Sequence, residues 1–222
     1  MIKDTYPMFV TEWELEEFPA TTKTPVSEAP GLVSLPAPHM QGGRPLLDVM
    51  KDRHSCREFS SEPLSEQLLS DLMWCAFGVN RSAVEGRTAP SAENWQEITV
   101  YLAKSDGLFL FEPSAHALMR ISRDDIRHQT GLQAYAAVAP VDLVYVADFS
   151  RAGASSEDER RLYSVADTGF IAQNVYLFCA AQGLATVVRG AIDRPSLTAV
   201  MRLAPHQRII LAQSVGYPAK PH

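Results

Sequence analysis

From Glu157 to Gln182 the chain runs without a proline, and Gly183 follows as a stop. Within this stretch Val165, Ala166, Gly169, Phe170, Gln173, Tyr176, Leu177 and Ala180 recur at helical spacing. A helix that is apolar over so much of its circumference has no stable place on a solvated surface. It is predicted to be the centre of the domain or to be buried in a subunit interface, and the other elements must pack around it.

Those elements read as a mixture. Val141 to Ala147 is almost wholly apolar, as in a strand covered on both faces. Glu97 to Ala103 reads as a strand, and Gly107 to Phe111 pairs with Ala117 to Ile121 as a hairpin across Glu112-Pro113-Ser114. Ala185 to Ile192 and Arg208 to Val215 complete the strands. Pro45 suits the first turn of a helix through Leu46, Leu47, Val49 and Met50. Ser65 caps a second helix that buries Leu68, Leu69, Leu72 and Cys75 or Ala76, with Gly78 as its stop. Asp124 to Val138 is predicted helical, broken near Gly131, and Pro195 to Leu203 is a short helix with Asp193 or Arg194 at its cap. Helices and strands in this order specify an α+β domain rather than regular βαβ winding.

Residues 1–43 differ from the rest. They hold Pro7, Pro19, Pro25, Pro30, Pro36 and Pro38 and the acidic cluster Glu12, Glu14, Glu16 and Glu17. Proline removes backbone donors, so no packed sheet or long helix is expected there. Phe9, Trp13, Leu15 and Phe18 are costly to leave in water, which favours an arm that wraps a partner subunit over a solvated tail. Gln41-Gly42-Gly43 reads as a hinge, and 44–222 as the folded domain.

The formal charge of -6, with no run of Lys or Arg, argues against a nucleic-acid partner. Cys56, Cys75 and Cys179 form no C-x-x-C pair and no zinc spacing, so a reducing compartment is the simpler reading. Met1 to Thr11 lacks the pattern of a signal peptide, and no stretch approaches the roughly 18 apolar residues of a membrane span. A cytoplasmic protein is therefore expected. The histidines are scattered without ligand spacing, so no metal site is expected.

Three stretches carry candidate chemistry. In Arg53-His54-Ser55-Cys56-Arg57, two guanidiniums flank a hydroxyl. A phosphate monoester is a dianion with three acceptor oxygens, which paired arginines match with charge-assisted bonds. The alternative is a solvated helix end with Arg57 paired to Glu58 or Glu62. In Arg87 to Gln96, small residues with Asn94 and Gln96 suit close approach to a flat ring whose edge both donates and accepts. The alternative is a helix start capped by Ser91. In Ala185 to Gly190, Gly190 admits a ligand close to the backbone, and Arg189 either places charge beside a ligand or is a solvated residue of an edge strand. Cys56 is a weaker candidate for a thiolate nucleophile, as cysteine is more often a small buried hydrophobe. No G-x-S-x-G elbow and no G-x-G-x-x-G after a strand is present.

Taken together these stretches resemble the nitroreductase family, and within it the SagB-type branch of flavin dehydrogenases. The resemblance rests on Arg53 to Arg57, Thr88 to Gln96, Ala166 to Leu177, Gly183 to Gly190 and the closing Val215-Gly216-Tyr217-Pro218, in the family's order over residues 44–218. It implies a mixed sheet flanked by helices, with the long helix at the core of an intertwined homodimer and FMN bound noncovalently at the interface. Arg53, His54, Ser55 and Arg57 would hold the phosphate and ribityl chain. Pro90, Ser91, Ala92, Asn94 and Gln96 would approach the ring from the partner subunit, and Val188, Arg189 and Gly190 would line it near N5. Val188-Arg189-Gly190 stands where many relatives carry an acidic residue before the glycine. The longer C-terminal arm of relatives is not found, which leaves Lys220 as the further phosphate cation.

The implied activity is a two-step flavin reaction that passes electrons from NAD(P)H to a small organic acceptor of nitro, quinone or enone type. The alternative is a flavin-binding azoline dehydrogenase or maturation subunit acting on a modified peptide. A cofactor-free cysteine enzyme is a third, weaker reading. No ribose-reading motif selects NADH or NADPH.

Overall fold

The computed structural model describes residues 31–153 and 156–219. The bulk of residues 1–43, with Phe9, Trp13, Leu15 and Phe18, and the candidate cation Lys220 lie outside the described residues.

Thirteen elements follow one another: β1 (Leu32–Ser34), α1 (Leu46–Asp52), α2 (Glu66–Phe77), β2 (Val79–Arg81), β3 (Gly86–Arg87), β4 (Ile98–Lys104), β5 (Gly107–Glu112), β6 (Ala117–Ser122), β7 (Val141–Asp148), α3 (Glu157–Gln182), β8 (Ala185–Arg189), α4 (Arg194–Met201) and β9 (Gln207–Gly216). This is the expected α+β class. Seven strands form one sheet in the order β1-β6-β5-β4-β7-β9-β8, and β2 pairs with β3 separately. Every described pair is antiparallel. The mixed sheet implied by the resemblance is therefore corrected in one respect. β7 and β8, joined through α3, run in the same direction, but β9 lies between them, so no parallel ladder forms.

Strand alternation sorts the core into two layers. On one face Val141, Leu143, Tyr145 and Ala147 of β7 pack with Leu69, Leu72, Met73 and Ala76 of α2 and Ile171, Val175 and Cys179 of α3. On the other face Val144 and Val146 pack with Ile126, Leu197 and Met201. The apolar run of β7 is thus covered on both sides, as its composition requires.

Both long helices end where their sequence signals predict. The Ser65 side chain accepts from the Leu68 N–H to cap α2, an arrangement that contributes about 1 kcal/mol. The Ser156 side chain accepts from the Glu159 N–H to cap α3, and Gly183 closes the helix at φ 68, a left-handed conformation in which a Cβ is strained. α3 buries Asp167, Thr168, Ile171, Val175 and Cys179, while Leu162 remains 67% and Phe170 49% exposed on its outer side.

Two expectations fail for stated reasons. The helix over 124–138 is replaced by two 3-10 turns, Arg127–Gln129 and Ala134–Ala137. The Thr130 carbonyl, which a helix would offer to the Ala134 N–H, accepts from Arg189 Nη1 at 2.8 Å instead. The last part of the proline-rich segment also joins the domain. β1 pairs with β6, and the following residues are fastened to α2 through His39 N–H to Asp71, Gln67 to the Ala37 carbonyl and Ser70 to the Pro36 carbonyl. Proline is compatible with an edge strand and with loop, so composition alone placed the boundary too late.

Arg189 requires the largest correction. Its side chain is 1% exposed and pairs with Asp142 at 2.6 Å, while Thr130 accepts from it through both its carbonyl and its hydroxyl. The guanidinium therefore does not face solvent, and its charge is committed to Asp142 and Thr130. The Ser214 hydroxyl and the Thr130 hydroxyl also donate to Asp142. A Cβ on Gly131 would meet Arg189 Nη1 at 1.9 Å, so glycine is the residue that lets the guanidinium pass. Removing one partner of such a buried pair leaves the other charge without compensation. Asp142→Ala is expected to lower unfolding stability by about 3–5 kcal/mol in urea denaturation. A change within experimental error would show that the pair does not hold β8.

Candidate functional site

The Arg53–Arg57 segment leaves the end of α1 and runs beside β8. The Arg53 N–H donates to the Val49 carbonyl, and the Cys56 N–H donates to the Thr186 carbonyl at 3.0 Å. Beyond it, the Ser60 N–H donates to Tyr217 and the Ala219 N–H to Glu58, so the C-terminal residues line its other side. Ser55, His54 and Arg57 are exposed. His54 Nδ1 lies 2.8 Å from the Asp52 carbonyl, and Asp52 pairs with Arg44. The Arg53 guanidinium lies over the Tyr176 ring, 5.4 Å from its centroid. Among the described residues Arg57 pairs with neither Glu58 nor Glu62, and neither arginine forms a salt bridge. The solvated, self-paired helix end is thus not what forms. A recess of about 240 Å³ lies behind the turn, lined by Arg44, His54, Tyr176, Thr186 and Pro218 among others.

The adjoining edge of β8 supplies backbone groups. β8 is the last strand of the sheet, so one side of it has no strand partner. On that side the Thr186 carbonyl accepts from Cys56 and the Val188 N–H donates to the Tyr176 hydroxyl at 3.0 Å. The strand period puts Gly190 on the same edge. Its N–H has no acceptor among the described residues, and the residue is exposed. An added Cβ at Gly190 would meet only Leu211, at 3.8 Å, so the approach to this N–H is open.

The Pro90–Gln96 loop is a separate structure, anchored on α3. The Ala92 N–H donates to Asp167 Oδ2 at 2.8 Å, and Trp95 meets Tyr163 edge-on at 5.5 Å. The Ser91 hydroxyl accepts from the Gln96 N–H. Glu93, Asn94 and Gln96 all adopt positive φ, a conformation that side-chain-bearing residues seldom take and that persists only where surroundings enforce it. Gln96 enforces it: its Oε1 accepts from Arg87, and its Nε2 donates to the Glu85 carbonyl and to Asn94 Oδ1. The Gln96 amide is thereby committed to the loop, while Pro90 and Asn94 stay exposed. The alternative reading, a helix start capped by Ser91, is not what forms: only a 3-10 turn over Ala92–Asn94 is present, and the Ser91 side chain makes no cap bond to it.

In one chain the two groups of residues stand apart. The loop is anchored at Asp167 and the arginine turn at Tyr176, nine positions further along α3, which corresponds to roughly 13 Å along the helix axis. Asp167 and Tyr176 anchor the two segments; both lie in the Ala166–Leu177 stretch of the resemblance, but the sequence alone assigned neither a role, since they look like ordinary positions of a buried helix. Cys56 packs with Phe59, Ala139, Ala185 and Val187, as a small hydrophobe does. Burial pushes the Cys75 thiol up to about 11 and raises Cys179 as well, so neither is poised as a thiolate. The described residues contain no His/Cys/Asp/Glu group with metal-ligand geometry. No described helix is long and apolar enough to cross a membrane.

Comparison with known proteins gives one family. Residues 50–217 match the nitroreductase family. A candidate nitroreductase of Methanocaldococcus jannaschii is 28% identical over 176 residues, covering 75% of this chain and 88% of the relative. The crystal structure of a candidate nitroreductase from Ralstonia eutropha JMP134 superposes with a TM-score of 0.82 at 40% identity, covering 86% of this chain and 90% of that one. A chain of the Escherichia coli microcin synthetase McbBCD complex, solved with truncated pro-MccB17 bound, shares the fold with a TM-score of 0.66 at 19% identity, over 73% of this chain and 68% of that one.

Glu97, immediately after the loop, is the least expected member of this region. It is fully buried at the start of β4, against the Asp167 carboxyl and the Ser164 hydroxyl, without well-formed hydrogen-bond geometry to either. Burial raises its affinity for a proton, and the neighbouring Asp167 adds to the effect. Burial raises Asp167 likewise, against the pull of the Ala92 N–H. Two adjacent buried carboxyls cannot both ionise cheaply, and Arg151 offers Glu97 only a weak opposing pull. A carboxyl raised above its unfolded value stabilises the fold while protonated, and that contribution is lost as pH rises through the folded value. Unfolding free energy of the native protein should therefore fall as pH climbs above Glu97's ordinary value of 4.5. Glu97→Gln has no proton to lose and should show a shallower decline in urea titrations across that range. An unchanged slope would contradict this assignment.

Proposed function

The chain belongs to the nitroreductase family, and we propose that it is an FMN-dependent oxidoreductase of the SagB-type branch. In this reading it passes electrons from NAD(P)H to a small organic acceptor of nitro, quinone or enone type. The observation that carries the proposal is the continuous surface made by the arginine turn and the β8 edge. Two guanidiniums that form no salt bridge among the described residues flank an exposed hydroxyl at one end, and a backbone N–H without an acceptor among the described residues lies at the other. That set of donors matches a ligand with a phosphate dianion at one end and a hydrogen-bond acceptor at the other, which is the layout of FMN.

Bound there, the flavin would supply the reversible two-electron chemistry. The chain's own residues bind and orient. Arg53 and Arg57 neutralise phosphate charge, Ser55 and His54 complete the cradle, and the backbone of Val188–Gly190 lines the ring. Of these three residues Gly190 retains the free N–H, while Arg189 contributes through its backbone only. Pro90, Ser91, Ala92 and Asn94 face the ring of the other copy. Asn94 Oδ1 accepts from Gln96, so its amide N–H group is left to donate. Gln96 shapes the loop.

A homodimer is part of this reading. Within one chain the loop is anchored nine positions from the arginine turn along α3, and in this reading it serves the ring held by the other copy. α3 also carries Leu162, Val165 and Phe170 exposed on its outer side. A second copy packed on that side covers the apolar groups and brings its loop to this chain's turn. The other reading, an azoline dehydrogenase or maturation subunit acting on a modified peptide, uses the same cofactor site. It is favoured only by the fold shared with a chain of the microcin synthetase complex. Steady-state oxidation of NADH or NADPH by the purified protein alone would argue against it.

Arg53→Ala and Arg57→Ala each remove charge-assisted bonds and should weaken FMN binding on the order of tenfold to a hundredfold. The measurement is flavin per chain after exhaustive desalting. Full stoichiometry in both variants would overturn the placement of the phosphate.

A further inference from the structure

Tyr176 joins the arginine turn to the β8 edge. Its ring lies under the Arg53 guanidinium, and its phenol oxygen sits between the Val188 N–H at 3.0 Å and Ser55 Oγ at 2.8 Å. The direction of these bonds follows from a donor count. A backbone N–H can only donate, so the phenol oxygen accepts from Val188. If Ser55 donated as well, the phenol hydrogen would need another acceptor, and Tyr176 has none among the described residues. If the phenol donates to Ser55, every group in the chain is used, and the serine hydrogen is released toward the exposed side of the turn. A phenol is also the better donor of the two hydroxyls, and successive bonds in one direction strengthen each other.

We infer that Tyr176 is a positioning residue that polarises Ser55, through the ordered relay Val188 N–H to Tyr176 hydroxyl to Ser55 hydroxyl, so that Ser55 donates to the phosphate of a ligand held between Arg53 and Arg57. This rests on the proposed FMN reading and deepens it. The relay frees the serine hydrogen to donate, which favours an acceptor such as a phosphate monoester at this position. It also occupies the Val188 N–H, which leaves Gly190 as the β8-edge donor for the far end of the ligand. A tyrosine kept only for packing would show no dependence on its hydroxyl, since phenylalanine fills the same space and still stacks under Arg53.

The test is a double-mutant cycle on FMN affinity, with riboflavin, which lacks the phosphate, as the second probe. Apoprotein of the native sequence, Tyr176→Phe, Ser55→Ala and the double variant is titrated with each flavin by fluorescence. Each single variant should weaken FMN by roughly tenfold, the double variant should be no weaker than either single one, and riboflavin should bind all four equally. Additive losses, or equal losses for riboflavin and FMN, would overturn the relay. Retention of native FMN affinity in Tyr176→Phe would do so too. Ser55→Ala, at an exposed position, keeps the test decisive if Tyr176→Phe does not fold, because the relay requires it to lose FMN and not riboflavin. Failure of the folded native protein to bind either flavin would instead reject the FMN reading itself.

Discussion

The buried pair of Arg189 and Asp142 fixes the strand on which the site depends. β8 lies at the end of the sheet, with a single strand neighbour, and a strand so placed tends to fray or to recruit foreign partners. Arg189 pins it from within, reaching across β9 to Asp142 of β7 while holding the Thr130 turn on the outside. A charge buried this deeply is stable only with its counter-ion and hydrogen bonds in place, and Thr130 and Ser214 supply them. The outer edge is then satisfied piece by piece, by Cys56 at Thr186 and by Tyr176 at Val188. The Gly190 N–H remains, further along the same edge from the arginine turn, without an acceptor among the described residues.

α3 organises the rest. Its inner side lies on the sheet and α2, and it presents Asp167 to the Pro90–Gln96 loop and Tyr176 to the arginine turn. The helix thus holds the two segments, half-sites in the proposed reading, at a fixed separation. Each is rigid for a different reason: the turn is sewn to β8, and the loop is held in three left-handed conformations by Gln96, Ser91 and Asp167. Rigid half-sites on one straight element suit assembly with a second copy, since neither needs to reorganise when the other arrives.

Much of this was legible in the sequence. Ser65, Gly78 and Gly183 marked helix ends because capping is local chemistry, and β7 was legible because burial on both faces demands an apolar run. The arginine turn stood out as a candidate anion cradle because paired guanidiniums match a phosphate, while a solvated helix end fitted the same residues. What stayed hidden depends on long-range partners. Arg189 looked like an exposed edge residue or a ligand contact because its partner Asp142 is forty-seven positions away and looks, in an apolar strand, like an isolated charge. The same pair diverted the Thr130 carbonyl and so dissolved a helix that local periodicity favoured. Tyr176 lies in the Ala166–Leu177 stretch with no role assigned to it, and Glu97 lies outside every motif. The first is recognisable only by what meets its hydroxyl, and the second only by the carboxyl beside it.

The central claim is that one ligand spans the arginine turn and the Gly190 edge of one chain and meets the Pro90–Gln96 loop of the other. Amide hydrogen exchange on apoprotein with and without added FMN tests this most directly. FMN should slow exchange at the Gly190 amide, in residues 53–57 and in residues 90–96 together. Protection confined to the separate groove of about 870 Å³ that His39, Trp74 and Cys75 help to line, with Gly190 unchanged, would contradict the account.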